Sequence, residues 1–169
     1  MAHDRGVRPA TARDEQAILV LNAESEWAMS PLDEAGLRHL LAMDGLALVA
    51  EPAGQVLGFA LALTPDQPYD SANYRWFGER FSKFLYLDRV AVRAQMRRQG
   101  IASALYDVLE EAARPWGRIL CEVNIEPINP VSLAFHASRD YERVGVLAHG
   151  EAKAVAMLEK RFDEVPPDR

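Results

Sequence analysis

Apolar positions along this chain recur with two periods, and the alternation between them outlines the elements. Val7-Arg8-Pro9 reads as a short extended lead-in, and Thr11 followed by Asp14 forms a capping arrangement that opens a helix to about Ala23, with Ile18 and Leu21 facing inward. A second helix is expected from Ser30 as cap, Pro31 in its first turn and Asp33-Glu34 near its positive end, with Leu37, Leu40 and Leu41 before Gly45. Leu46 to Ala50 and Gln55 to Leu63 have strand character and are joined across Pro52-Ala53-Gly54, which predicts an antiparallel hairpin. Phe81 to Val92 is the longest strand pattern, alternating Phe84, Tyr86, Asp88, Val90 and Val92 against Leu85, Leu87, Arg89 and Ala91. A helix from about Gln99 to Arg114 places Ile101, Leu105, Val108, Leu109 and Ala112 on one stripe, and Pro115-Trp116-Gly117 stops it. Ile119 to Val123 is a short apolar strand, so this strand, helix and strand predict a right-handed crossover and a parallel pair. Asn129-Pro130 starts a helix carrying Val131, Leu133, Ala134 and Phe135, and Tyr141 to His149 and Ala154 to Phe162 are the final strands, turning at Gly150. The sum is an α/β (α+β, mixed-sheet) chain: about seven strands, mostly antiparallel, with one parallel pair and about four helices.

Two stretches lack either period. Glu24 to Met29 reads as a loop that exposes Trp27, and Gln67 to Arg80 as a long connection in which Tyr69, Tyr74, Trp76 and Phe77 interleave with Asp70, Arg75, Glu79 and Arg80. Connections of that length are usually functional or mobile.

At 169 residues, 49% of them hydrophobic and 26% charged, the chain is expected to form one soluble domain over 1–169, with an ordered core over 7–163 and a frayed tail over 164–169. No apolar run has the length a membrane helix needs and the N-terminus lacks a signal-peptide core, so a cytoplasmic protein without membrane contact is expected. A net charge of −6 disfavours a nucleic-acid surface. The single Cys121 excludes an internal disulfide, and His3, His39 and His149 have no metal-ligand spacing, so no metal is expected.

Local charge opposes global charge at one place. Arg89, Arg93, Arg97 and Arg98 fall in a stretch, Arg89 to Tyr106, that holds no Asp or Glu. Within it, Arg97-Arg98-Gln99-Gly100-Ile101-Ala102 joins a strand to a helix start, where unpaired N–H groups and the positive end of the helix dipole can hold an anion such as phosphate. A solvated turn is the competing reading. Neither a Walker loop nor a dinucleotide fingerprint is present.

Arg97-x-x-Gly100-x-Ala102 resembles the [Arg/Gln]-x-x-Gly-x-[Gly/Ala] signature of the GCN5-related N-acetyltransferase (GNAT) superfamily. Asn129, Ser132 and Phe135 match its second signature, Asn-x-x-[Ala/Ser]-x-x-[Phe/Leu]-Tyr, with His136 standing in place of the usual tyrosine. The resemblance covers nearly the whole chain. It implies a parallel pair splayed for CoA and acetyl-CoA as co-substrate, its pyrophosphate on the backbone amides of Arg97, Arg98, Gln99, Gly100, Ile101, Ala102 and Ser103. It further implies a pantetheine arm paired with Val90, Ala91 and Val92, and a helix carrying Asn129, Ser132, Phe135 and His136 beside it.

Acetyl transfer to an amine needs a base for the ammonium and a proton for the departing thiolate. The resemblance puts Tyr86 and Asp88 forward for the base, with a salt bridge from Asp88 to Arg89 or Arg93 as the alternative, and His136 forward for the acid. Glu122 is a second carboxylate candidate, since a charge in an apolar strand needs a partner or a role. Tyr141 is a weaker substitute for the acid, and Cys121 reads as a small buried hydrophobe. Trp27, Tyr69, Tyr74 and Trp76 are expected to wall the acceptor pocket. The expected activity is N-acetylation of a primary amine on a small molecule or peptide, with a non-catalytic CoA-binding sensor as the alternative, a protein-interaction domain of the same fold as a third reading, and a homodimer left open.

Overall fold

The computed structural model describes residues 5–163, so the tail 164–169 and His3 lie outside the described residues. The elements run β1 (Val7–Pro9), α1 (Glu15–Ala23), α2 (Glu34–Ala42), β2 (Gly45–Ala50), β3 (Gly58–Leu63), α3 (Ala72–Gly78), β4 (Leu85–Val92), α4 (Ile101–Ala113), β5 (Arg118–Glu126), α5 (Pro130–Ser138), β6 (Glu142–Ala148) and β7 (Ala154–Arg161), with short 3-10 turns between some of them. The seven strands form one sheet in the order β1-β2-β3-β4-β5-β7-β6. β1, β2 and β3 pair antiparallel, as do β5, β7 and β6, while β4 and β5 pair parallel.

The chain divides into two compact units, one holding residues up to Leu63 together with Leu87–Ala112, the other Thr64–Tyr86 and the chain from Ala113 on. In the first, β3 is buried along its whole length and packs with Ile18, Leu21, Leu37, Leu87, Ile101, Leu105 and Leu109 in the core. Gly58 makes this possible: a Cβ there would come within 3.0 Å of Ile101 Cγ2 and 3.3 Å of Leu105 Cδ1, so its small size lets α4 seat closely. In the second unit Phe77, Phe84, Tyr86, Ile119, Leu120, Cys121 and Val155 to Leu158 are buried, and β5, β6 and β7 carry the sheet.

The structure corrects several boundaries. Ser30 does not cap α2. Asp33 does, its carboxylate accepting from Gly36 N–H at 2.7 Å, because the chain becomes helical only at Glu34. The connection 67–80 contains a helix, α3, that the pattern does not predict: Ser71 caps it through Tyr74 N–H, and only Tyr74 and Phe77 point inward, too few positions to display a period. β3 starts at Gly58 rather than Gln55 and β4 at Leu85 rather than Phe81, whereas β5 runs on to Glu126. Val108 is exposed, and Tyr106 and Ala113 take the inward positions on α4 instead.

Candidate functional site

The parallel ladder between β4 and β5 comprises Leu85↔Ile119 and Tyr86↔Leu120. β4 then continues to Val92 and β5 to Glu126 beyond the last paired residues. Val90 and Val92 are half-buried and Ala91 is buried, so the end of β4 combines a packed side chain with partly accessible neighbours.

Past Val92 the chain makes a 3-10 turn over Ala94–Met96 and enters the loop 97–100, all of it exposed. Two residues in this loop lie in the left-handed region, Arg98 with φ 62° and Gly100 with φ 80°. Gly100 adopts that conformation without penalty, whereas for Arg98 it costs on the order of 1 kcal/mol, a strain the surrounding structure must hold. The first bond of the next helix runs from Ala104 N–H to Gly100 C=O at 3.0 Å. The N–H groups of Ile101, Ala102 and Ser103 therefore lead α4 with no helical carbonyl four residues behind them. Leading N–H groups, turned peptides and guanidiniums are the donors from which an anion cradle can be built.

One residue at this cradle escapes sequence reasoning. A Cβ placed on Gly100 would lie 3.5 Å from Arg5 Nη2 and 3.7 Å from Arg5 Nε, so the Arg5 guanidinium lies against Gly100 although residues 6–99 separate the two along the chain. No motif marks Arg5. Trp27 is 64% exposed, and its ring has Arg97 Cζ 5.7 Å from its centroid, while Arg93 pairs with Glu24 at 3.3 Å. The loop carrying Trp27 is thus tied to the cradle segment at two points.

Asp88 and Arg89, adjacent on β4, form a buried ion pair with Nε to Oδ2 at 2.9 Å and side chains 5% and 6% exposed. Arg89 also donates to Asn22 Oδ1 at 2.9 Å, Ser30 C=O at 3.3 Å and Ser30 Oγ at 3.2 Å. Of the two readings of Asp88, the structure contains the salt bridge. Ser30, expected as a helix cap, serves this network instead.

In the second unit the geometry joins two of the carboxylate and phenol candidates. The Tyr86 hydroxyl donates to Glu122, 2.9 Å from Oε2 and 3.0 Å from Oε1, and its ring packs against Tyr74 and Phe77. Glu122 itself is half-buried, so its charge is met by a hydroxyl rather than by bulk water alone. Next to it the buried Cys121 thiol is pushed well above its ordinary value, chiefly by burial and then by the Glu122 charge, which removes it as a nucleophile.

Asn129 caps α5, its Oδ1 accepting from Ser132 N–H at 3.2 Å. His136 is 5% exposed, with Nδ1 2.7 Å from Ser132 C=O and 3.4 Å from Ser132 Oγ. A carbonyl only accepts, so Nδ1 carries the proton in this contact. Phe135 and Tyr141 contact the imidazole edge-on at 5.5 and 5.0 Å.

The expected acceptor-pocket aromatics divide. Tyr74 is buried, its hydroxyl donating to Thr64 C=O at 2.6 Å and accepting from Gln67 N–H at 2.9 Å, so it braces the connection. Trp76 lies over Gly145 of β6, where a Cβ would come within 2.5 Å of its ring, and Arg80 stacks on it at 3.7 Å. Tyr69 is half-buried and packs edge-on against Tyr74. Among the described residues no cluster of three or more His, Cys, Asp or Glu is placed to hold a metal ion, and no helix is long and apolar enough to cross a membrane.

Residues 13–141, spanning both units, match the model of the Acetyltransferase (GNAT) family. The chain belongs to the GNAT acetyltransferases. Among solved structures it is similar to the ribosomal-protein-alanine N-acetyltransferase of Brucella melitensis, at 25% identity and TM-score 0.70, covering 92% of this chain and 99% of the other. It also resembles Ard1 of Thermoplasma volcanium, at 16% identity and TM-score 0.75, covering 94% and 97% of the two chains. A phosphinothricin acetyltransferase of Sinorhizobium meliloti, solved in complex with AcCoA, aligns at 20% identity and TM-score 0.71 over 94% of this chain and 88% of that one. No curated protein matches the chain significantly. As a GNAT acetyltransferase, the protein has, among the described residues, the mixed seven-stranded sheet and five α-helices given above, and its stretch 97–100 is exposed.

Proposed function

We propose that this GNAT protein transfers an acetyl group from acetyl-CoA to a primary amine of a small molecule or of a peptide end, as a single domain over 1–169 working in the cytoplasm. The observation that carries the proposal is the cradle. Exposed peptides with positive φ at Arg98 and Gly100, the leading N–H groups of α4 and two arginines suit a diphosphate better than any neutral ligand. Acetyl-CoA supplies an activated thioester. Residues 97–103 would hold its pyrophosphate, and Val90 to Val92 would offer backbone groups to the pantetheine arm.

Glu122 is our choice for the base that takes a proton from the incoming ammonium, directly or through water, leaving the neutral amine to attack. It is half-buried, and the Tyr86 hydroxyl fixes its carboxylate. Asp88 is assigned instead to holding Arg89. His136 donates its Nδ1 proton to Ser132 C=O, so to protonate the departing thiolate it must act as the imidazolium through Nε2. Trp27, exposed beside Arg97, is the most accessible of the acceptor-pocket candidates.

The proposal is tested by following thiol release from acetyl-CoA over an amine panel. The panel includes an alanine-terminated peptide and phosphinothricin, chosen because related structures carry those names. Thiol release with at least one amine is expected, and Glu122→Gln should lower kcat roughly 10²–10⁴-fold while leaving CoA affinity unchanged. CoA binding without thiol release from any amine would favour a non-catalytic sensor, and the absence of any heat on titration with CoA would remove the donor assignment.

A further inference from the structure

The basic group at the cradle is larger than its motif. We propose that Arg5 is a donor-binding residue whose guanidinium pairs with a phosphate of the CoA carrier; this rests on the donor assignment above. Arg5 reaches the loop because of the residue that follows it. Gly6 has φ 59°, and a Cβ there would come within 2.5 Å of Glu51 C=O, so only glycine fits the turn that leads into β1. Glu51 N–H donates to Gly6 C=O at 3.0 Å, which fixes that turn to the end of β2. Held there, the Arg5 guanidinium lies along Gly100, with Nη2, Nε and Cζ 3.5, 3.7 and 3.9 Å from the position of an added Cβ.

Arg5, Arg97 and Arg98 thus attend one loop, and among the described residues none of the three is ion-paired with a carboxylate. Eight other arginines of this acidic chain, Arg8, Arg13, Arg38, Arg75, Arg80, Arg89, Arg93 and Arg118, each meet a carboxylate within 4 Å. Cations gathered without carboxylates repel one another until an anion joins them. Coenzyme A brings two such groups, a diphosphate and a ribose 3′-phosphate, and a guanidinium offers either one a charge-assisted pair of hydrogen bonds.

The test is calorimetric titration of the full chain with CoA and with dephospho-CoA, which lacks the ribose phosphate, for the wild type, Arg5→Ala and Arg5→Lys. Arg5→Ala should bind CoA roughly tenfold or more weakly, with an unchanged melting temperature in the absence of ligand, and Arg5→Lys should recover part of the loss. A loss confined to CoA assigns Arg5 to the 3′-phosphate, and an equal loss with dephospho-CoA assigns it to the diphosphate; both support the proposal. Equal CoA affinity in the wild type and Arg5→Ala overturns it while the donor assignment stands. A wild type that binds neither ligand overturns both.

Discussion

Asp14 is buried and held by several donors at once. Arg8 grips it with two nitrogens, at 2.8 and 2.9 Å, Thr11 N–H adds a bond of 2.7 Å, and the Arg8 Nε reaches Glu51 at 2.8 Å. The Arg8 guanidinium holds the Asp14 carboxyl well below the usual carboxylate range, against the opposing effect of burial, and Glu51 is lowered by the same partner. A carboxyl whose pKa is lower folded than unfolded contributes stability that is complete above its unfolded value, about 4, and is lost as pH falls towards its folded value. Asp14→Asn should therefore cost roughly 1–3 kcal/mol at pH 7, and the gap to the wild type should narrow as pH drops below about 4. Urea unfolding at stepped pH measures it, and a gap independent of pH would show that the charge is not what Asp14 contributes. The capping arrangement of Thr11 and Asp14 is legible in the sequence; the Arg8 clamp is not, because nothing in the spacing says which cation would turn back onto the cap.

At the scale of elements, the two readings of α2 predict different costs. With Asp33 as the cap, Asp33→Ala should lose about 1 kcal/mol through the helix terminus. Ser30→Ala acts elsewhere, removing the hydroxyl that accepts from Arg89 while leaving helix content unchanged. Comparing helical circular dichroism and melting of the two variants separates these effects, and loss of helix in Ser30→Ala alone would restore Ser30 as the cap. Long elements with a clear period are readable in advance in their cores, if not in their bounds: Leu105 and Leu109 of α4 point inward, β4 alternates from Asp88 to Val92, and the apolar run Ile119 to Val123 lies within β5. α3 is not readable, since a single pair of inward aromatics in a polar stretch looks the same in a loop and in a two-turn helix.

For the whole molecule, donor binding should be visible as stability. A ligand bound only by the folded chain and supplied at about 100 times its Kd contributes about 2.7 kcal/mol, which for a chain of this size raises Tm by roughly 5–10 °C. Acetyl-CoA should produce that rise in the wild type, read by thermal scanning. Gly100→Glu should abolish it, because the new side chain carries negative charge into the cradle, meets Arg5 and forces a left-handed backbone on a residue that disfavours it. A full shift in Gly100→Glu would move the donor's pyrophosphate away from this loop.

The sequence alone determined the α/β class, the parallel pair and the family, because each is written in the periodicity of successive elements or in short motifs read along the chain. Tertiary structure alone decided the choice among partners. It took Asp88 into a salt bridge with Arg89, joined Tyr86 to Glu122, turned His136 Nδ1 back onto its own helix and brought Arg5 to Gly100. The side chains of a strand or a loop have many partners within reach, and only the packed fold selects which donors and acceptors come within 3 Å.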